Sequence, residues 1–286
     1  MSFLRRWILR HKLPWQHVGT GGKVWDIDLD AEWCIESDSE PLARFRRAVE
    51  DRLKDGPGVQ GPYGLWSKLF RQDEKVCEKD IPISSFSGVS ASKSRDPGTM
   101  EAFATKAWEH RGEYEPHCPT EIVKSLYDRY RGPLPAMYLA WSDRLLFWCN
   151  DGSHRFGRLY WQWMANGTDT RLKCTLNAKW IDPDAVLRLQ RYHLWAVEAP
   201  FGHALVSRCR RWPYPRPKEL RVHVGRPGSA SKPATKADSW VIVSFLRESK
   251  DAELIAESLS AAGGCDLVAR VSMLTAGMGD PCKRFA

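Results

Sequence analysis

The stretch from Leu145 to Gly167, LLFWCNDGSHRFGRLYWQWMANG, constrains the fold of this 286-residue chain more than any other. An apolar run, Leu145 to Cys149, meets a polar turn, Asn150–Asp151–Gly152–Ser153, and an aromatic-rich helical pattern follows. A strand must therefore deliver its end to the start of a helix. The first amides of a helix have no intrahelical acceptor, so that point favours an anion. Gly152 lets the backbone turn and lets a ligand approach it closely. Asp151 or Ser153 is placed to cap the helix. His154 and Arg155 add one titratable and one permanent donor, and arginine suits phosphate oxygens through paired contacts. The alternative is an N-capped helix with a surface arginine and a packed histidine. Two cationic donors directly after a glycine turn favour a phosphate site without a P-loop. Neither GTGGK at 19–23 nor GVSASKS at 88–94 has the composition of a true P-loop.

The elements around this turn are legible. Pro119 and Thr120 predict a helix start, with Thr120 as cap, and Ile122, Val123, Leu126 and Tyr130 supply its apolar positions. Gly132–Pro133 and Pro135 end it. Ala136–Trp141 and Arg144–Cys149 read as strands joined at Ser142–Asp143. A helix from His154 to Asn166 ends at Gly167, and Arg171–Ala178 is a further strand. Asp182 and Pro183 cap and open the next helix.

Upstream, the basic segment 1–15 predicts an amphipathic helix docked on the protein's own body. Lys23–Leu29 predicts a strand, and Pro41–Lys54 a helix with Leu42, Phe45, Val49 and Leu53 on one face. Ile81–Phe86 predicts a short strand, followed by a serine-rich loop to Gly98 and a helix over Met100–His110. Downstream, Trp240–Leu246 predicts a strand, Asp251–Ala262 a helix and Leu267–Leu274 a last strand. The reading divides the chain into a partly helical extension (1–118), a core (119–206), a basic, proline-rich linker or loop (207–237) and a strand–helix–strand unit with tail (238–286).

Charge and cysteine usage narrow the partners. The net charge of +8 favours acidic partners: nucleotides, nucleic acids or an anionic membrane surface. The eight cysteines form no CxxC pair and no zinc-like double pair, which predicts reduced thiols, no metal site and a cytoplasmic protein. The arginines break the apolar run at the N-terminus, so no transmembrane segment is expected. Fourteen tryptophans read chiefly as large core fillers, and otherwise as a partner surface.

Over about 70 residues, 119–190, this layout resembles the ParB/sulfiredoxin superfamily. The resemblance rests on Lys124–Ser125–Leu126, the Pro-bounded strand Pro135–Trp141, Leu145–Phe147, the turn Gly152–Ser153–His154–Arg155 and the returning strand Arg171–Ala178. It implies an α/β (α+β) fold with a mixed-sheet core. It also implies nucleotide phosphates held by Gly152, Ser153, His154 and Arg155, with Ser125 nearby. Sulfiredoxins carry a cysteine nucleophile just before the His–Arg pair. Ser153 stands there instead, so sulfinic-acid reduction is not expected.

Three functions follow as expectations. The first is an NTP-dependent hydrolase or phosphotransferase taking ATP or another NTP with Mg²⁺. Its catalytic candidates are Asp151, Ser153 and His154, and Asp143 and Glu121 are further choices of base. The second is a nucleic-acid-binding, nuclease-like protein contacting DNA or RNA through Arg208, Arg210, Arg211, Trp212, Tyr214 and Arg216. The third is a non-catalytic protein whose tryptophans meet a protein partner.

Overall fold

The computed structural model describes residues 41–54, 61–93, 98–110, 118–149, 152–211, 218–223, 240–249, 251–276 and 278. The expected helix in 1–15 and strand at Lys23–Leu29 lie outside them. The fold is mixed α/β, with nine α-helices and two sheets among the described residues. Two compact units share it. Among the described residues, the outer unit takes Phe45–Leu69 and Asp182–Ala276, and the inserted unit takes 41–44, Phe70–Ile181 and Met278.

The chain enters through helices α1 (Pro41–Leu53) and α2 (Pro62–Trp66). As the spacing predicts, Phe45, Val49 and Leu53 of α1 are buried. The inserted unit then begins with strand β1 (Phe70–Pro82), a 3-10 turn (Ile83–Ser85) and strand β2 (Gly88–Val89). Helices α3 (Met100–Glu109) and α4 (Pro119–Tyr130) follow, then strands β3 (Leu134–Leu139) and β4 (Arg144–Phe147). Helix α5 (Ser153–Asn166) and strand β5 (Arg171–Ile181) complete it.

The sheet order is β1-β5-β3-β4-β2. The β1–β5 and β3–β4 pairs are antiparallel, whereas β3–β5 and β2–β4 are parallel. Alternation along the strands sorts the side chains onto two faces. Leu134, Ala136 and Tyr138 of β3 and Leu172, Cys174 and Leu176 of β5 join Phe103, Ile122, Leu126, Phe156 and Leu159 of the helices in one core. Met137, Leu139 and Leu146 are buried on the opposite face, beside Trp141 and Trp148. Asn177 shares that second face, with its amide nitrogen 3.4 Å from the Ala136 carbonyl.

Several local expectations need correcting. Ile81–Phe86 is not one strand. The strand ends at Pro82, and the Phe86 amide then closes a turn onto the Ile83 carbonyl. The strand that leads there runs through the charged sequence FRQDEKVCEKD, which hides its apolar alternation. Cys118, not Thr120, occupies the cap position of α4, because Pro119 takes the first helical place. In contrast, Gly167 ends α5 in the left-handed conformation as expected, at φ 68°.

The outer unit resumes with helix α6 (Pro183–Leu189), strand β6 (Tyr192–Glu198) and helix α7 (Ala199–Arg211). Asp182 caps α6 as expected, accepting from the amides of Asp184 at 2.9 Å and Ala185 at 3.2 Å. Strands β7 (Arg221–His223) and β8 (Trp240–Leu246), helix α8 (Ala252–Ala261), strand β9 (Cys265–Asp266) and helix α9 (Leu267–Ala276) finish it. The sheet order is β7-β8-β6-β9, antiparallel throughout. Trp195, Val197, Val241, Val243 and Phe245 pack with Phe201 and Leu205 of α7 and Ile255 and Leu259 of α8.

The expected strand at Leu267–Leu274 is instead α9. Asp266 Oδ1 accepts from the amides of Val268 at 2.9 Å and Ala269 at 3.1 Å, which nucleates a helix. Leu267, Val268 and Val271 form its buried side. The basic segment from 207 is also not all loop, since α7 continues to Arg211 and β7 begins at Arg221.

His193 and His223 are both buried in this unit. The His193 ring packs on Phe245, with centroids 4.8 Å apart, and its Nε2 lies 3.4 Å from Glu253 Oε1. Arg247 pairs with Asp266 at 3.5 Å. Burial, and then the nearby Arg247 charge, hold the imidazole below its usual range against the opposing pull of Glu253 and Asp266.

Candidate functional site

β4 feeds the turn that opens α5. Gly152 is the residue before the helix and takes φ 95°, where a side chain is strained. It also sits close to α4: a Cβ here would lie 3.4 Å from Leu126 Cδ2. Ser125 is half-buried beside that leucine, so the resemblance-derived position lies on the helix that backs the turn.

The residue at the cap position of α5 is Gly152, which has no side chain to cap with. The helical ladder starts with the Phe156 amide on the Gly152 carbonyl at 2.9 Å. The expected cap by Ser153 is therefore corrected: Ser153 is the first helical residue, only 8% exposed, with its Oγ 3.4 Å from Ser92 Oγ. The other expected cap and base, Asp151, lies outside the described residues.

His154 is exposed and its ring centre lies 6.0 Å from that of Phe103 on α3. Arg155 is half-buried, and its Nε is buried without a hydrogen-bond acceptor among the described residues. One turn further, Arg158 is buried and donates from Nε to the His154 carbonyl at 3.3 Å. Two guanidinium groups thus lie on the first two turns of a helix whose own start is the positive end of its dipole.

A second wall was not legible as part of the site. The parallel pairing of β2 with β4 carries residues 90–93 alongside the end of β4. Ser90 is buried and its Oγ accepts from the Cys149 amide at 3.0 Å. The Cys149 thiol donates to the Ala91 carbonyl at 3.0 Å. Ser92 then meets Ser153, and exposed Lys93 follows it. GVSASKS lacks the composition of a P-loop, but the fold brings Ser90 to the end of β4 and Ser92 to Ser153. The only sequence signal was the Ser/Lys composition itself.

Cys149 is buried, as its apolar surroundings predict, and burial pushes its thiol above the usual range. It is poorly suited to act as a nucleophile. Asp143 is not at the turn. It sits in the β3–β4 hairpin at φ 55°, at the opposite end of β4, and accepts from the Tyr138 hydroxyl at 2.6 Å. Glu121 is exposed in the first turn of α4. No group of three or more His, Cys, Asp or Glu side chains suited to a metal ion occurs among the described residues.

The nucleic-acid candidates fall largely beyond the described side chains. Arg208, Arg210 and Arg211 are in the last turns of α7. Trp212, Tyr214 and Arg216 lie outside the described residues. No described helix is long and apolar enough to cross a membrane. Comparison with family models, curated proteins and solved structures returns no match.

Proposed function

We propose that the turn Gly152–Arg155 binds the phosphates of a nucleoside triphosphate, and that residues 119–190 form a divergent ParB/sulfiredoxin-like core. The observation that carries this reading is the buried Arg155 Nε on the first turn of α5, which has no acceptor among the described residues. A phosphate oxygen would supply that acceptor through a charge-assisted bond, beside the positive end of the helix dipole. The order helix, strand, strand, turn, helix, strand supports the family reading.

In this reading the Gly152 backbone gives room for the phosphates. Arg155 offsets their charge, and Lys93 adds a second cation from the facing segment. The residues suit an anion better than a bare metal ion. Mg²⁺ would be held mainly by phosphate oxygens and water, and it would supply charge neutralisation during phosphoryl transfer. Ser153 is nearly closed off from solvent, which fits packing against Ser92 better than accepting a phosphoryl group. His154, exposed on the first turn, is the described group best placed to take a proton from a water or hydroxyl that attacks the terminal phosphate.

The test is a thermal-shift panel with ATP, CTP and GTP, each with and without Mg²⁺, on the full chain and on Arg155→Ala. At least one nucleotide should raise the unfolding midpoint, and Arg155→Ala should reduce or abolish the rise without lowering the ligand-free midpoint. A flat response to every nucleotide sinks the reading. So does an Arg155→Ala variant that responds like the parent.

A further inference from the structure

Helix α8 stands between two left-handed joints. Asp251 precedes it at φ 65°, without a side-chain hydrogen bond to the first turn, and Gly263 follows it at φ 74°. Residues at the ends of an element are where a segment turns as a body. The two ends are not equally fixed. After Gly263 the chain passes so close to β6 that a Cβ on Gly264 would lie 2.7 Å from Val197 Cγ1. That end is wedged against the sheet. The other end rests on the buried side chains of Ala252 and Ile255, which pack in one core with Trp195, Val197 and Phe245.

His193 of β6 lies under the first turn of this helix. Its side chain is 2% exposed, and Glu253 Oε1 of that turn is 3.4 Å from its Nε2. Neither ring nitrogen has a hydrogen-bond partner among the described residues. The charged groups that act on the ring are Glu253 from α8, Asp266 from β9 and Arg247 from the end of β8. The buried residues that α7 and α9 bring to this unit include Phe201, Leu205, Leu267 and Val271, all apolar. Beneath the ring the strands are pinned. The Arg247 amide donates to the Arg191 carbonyl at 2.9 Å, and its Nε donates to the Tyr192 carbonyl at 3.2 Å.

A proton on His193 therefore has nowhere good to go. An imidazolium here would lose its hydration and sit near the Arg247 cation. Glu253 opposes both effects, but its side chain is 77% exposed, so water screens its pull. Asp266 is engaged by Arg247 at 3.5 Å. Burial wins, and the ring reaches water most directly by lifting the turn above it. We propose that α8 is an acid-released flap: protonation of His193 frees its N-terminal half from the sheet, hinged at Gly263–Gly264. Release uncovers part of the apolar core around Phe245 and Trp195. The device makes no use of the nucleotide site.

Hydrogen exchange of the full chain, corrected for the intrinsic pH dependence of amide chemistry, tests this. The amides of α8 should exchange faster than those of β8 at every pH, because local opening precedes unfolding of the sheet. Between pH 7.5 and 5.0 the open population of α8 should rise by about tenfold or more. The ceiling is about thirtyfold, set by an ordinary imidazole pKa of about 6.5 in the open state. His193→Gln should abolish the rise. Glu253→Gln, a change at an exposed side chain, should fold normally and keep the rise, since the ring loses only an attracting group. It carries the test even if His193→Gln fails to fold. The proposal is overturned if α8 and β8 share one protection at every pH, or if α8 becomes better protected in acid. It is also overturned if the rise survives in His193→Gln or vanishes in Glu253→Gln, which would assign the titration to the carboxylate.

Discussion

Gly157 sits one turn into α5, where that helix crosses α3. A Cβ added there would lie 2.9 Å from Ala107 Cβ and 3.0 Å from Phe103 Cε1. Comfortable carbon–carbon contact is about 3.5–4.0 Å, so Gly157→Ala must push the helices apart by several tenths of an ångström or more. Two effects compete. Replacing a mid-helix glycine by alanine favours the helix by about 1 kcal/mol. Overpacking a filled core costs about 1–3 kcal/mol. Ala107 has no rotamer through which to yield, and the Trp108–Trp161 stack, with ring centres 4.0 Å apart, joins the same two helices. The upper half of the overpacking range therefore applies, and a net loss of about 1 kcal/mol is expected. That corresponds to a midpoint about 2–4 °C lower. Ala107→Gly should cost about 1 kcal/mol in the parent but almost nothing in the Gly157→Ala background, where it removes the nearest clashing atom. Urea denaturation of the four proteins measures the coupling, expected at about 1 kcal/mol. If Gly157→Ala is as stable as the parent, or the two substitutions simply add, the close approach does not limit how α5 is seated.

Three further outcomes are expected. Asp182→Ala removes the acceptor of two amides at the start of α6 and should cost about 1 kcal/mol in urea denaturation, whereas Asp182→Ser should recover most of it. His193 is neutral in the folded protein because burial depresses its pKa. Above the unfolded value of about 6.5 it contributes no pH dependence. As pH falls below that value, the unfolded chain takes up a proton that the folded one refuses, and stability declines until the folded-state pKa is passed. His193→Gln should flatten that decline relative to the parent, and parallel acid slopes in the two proteins refute the assignment. Alkylation by iodoacetamide under native conditions, read by peptide mass spectrometry, should mark exposed Cys118 and spare Cys149 and Cys174. Cys174 is pushed up to about 12, chiefly by burial, so prompt labelling there contradicts the packing described.

The sequence carried most of the inserted unit because its elements announce themselves locally. Pro119, Gly167 and Pro183 mark helix ends through backbone geometry that tertiary structure rarely overrides, and α4, α5 and α6 stand close to where these residues put them. The apolar periods of Phe45–Leu53 and of Trp240–Leu246 are similarly self-sufficient. What escaped depends on partners distant in the chain. Most of β1 precedes the strand expected at Ile81 and carries no element in the sequence reading, and it is defined by its pairing with β5 across a register shift between Asp73 and Cys77. The run Leu267–Leu274 is as apolar as a strand, whereas the Asp266 side chain accepts from its first amides and favours a helix. At the site, Gly152 has the predicted freedom of turn, but Ser90–Lys93 joins it through a two-residue parallel pairing that no local pattern encodes.

The discontinuity of the outer unit orders events on the ribosome. Phe45–Leu69 emerges ahead of Phe70–Ile181, yet the strands of its unit, β6 and β8, lie beyond Asp182. In between, Phe70 pairs with Ile181, so the inserted unit's sheet is joined across its first and last residues. At about 5–20 residues per second, the roughly 110 intervening residues give the nascent α1 and α2 some 5–20 s to wait. The inserted sheet can close within that interval, while Phe45 and Trp66 can meet each other but α2 has yet to meet α6. The early segment is thus the one exposed to chaperones during translation. A stop codon placed shortly after Ile181 would yield a chain with an assembled sheet and an orphaned pair of helices.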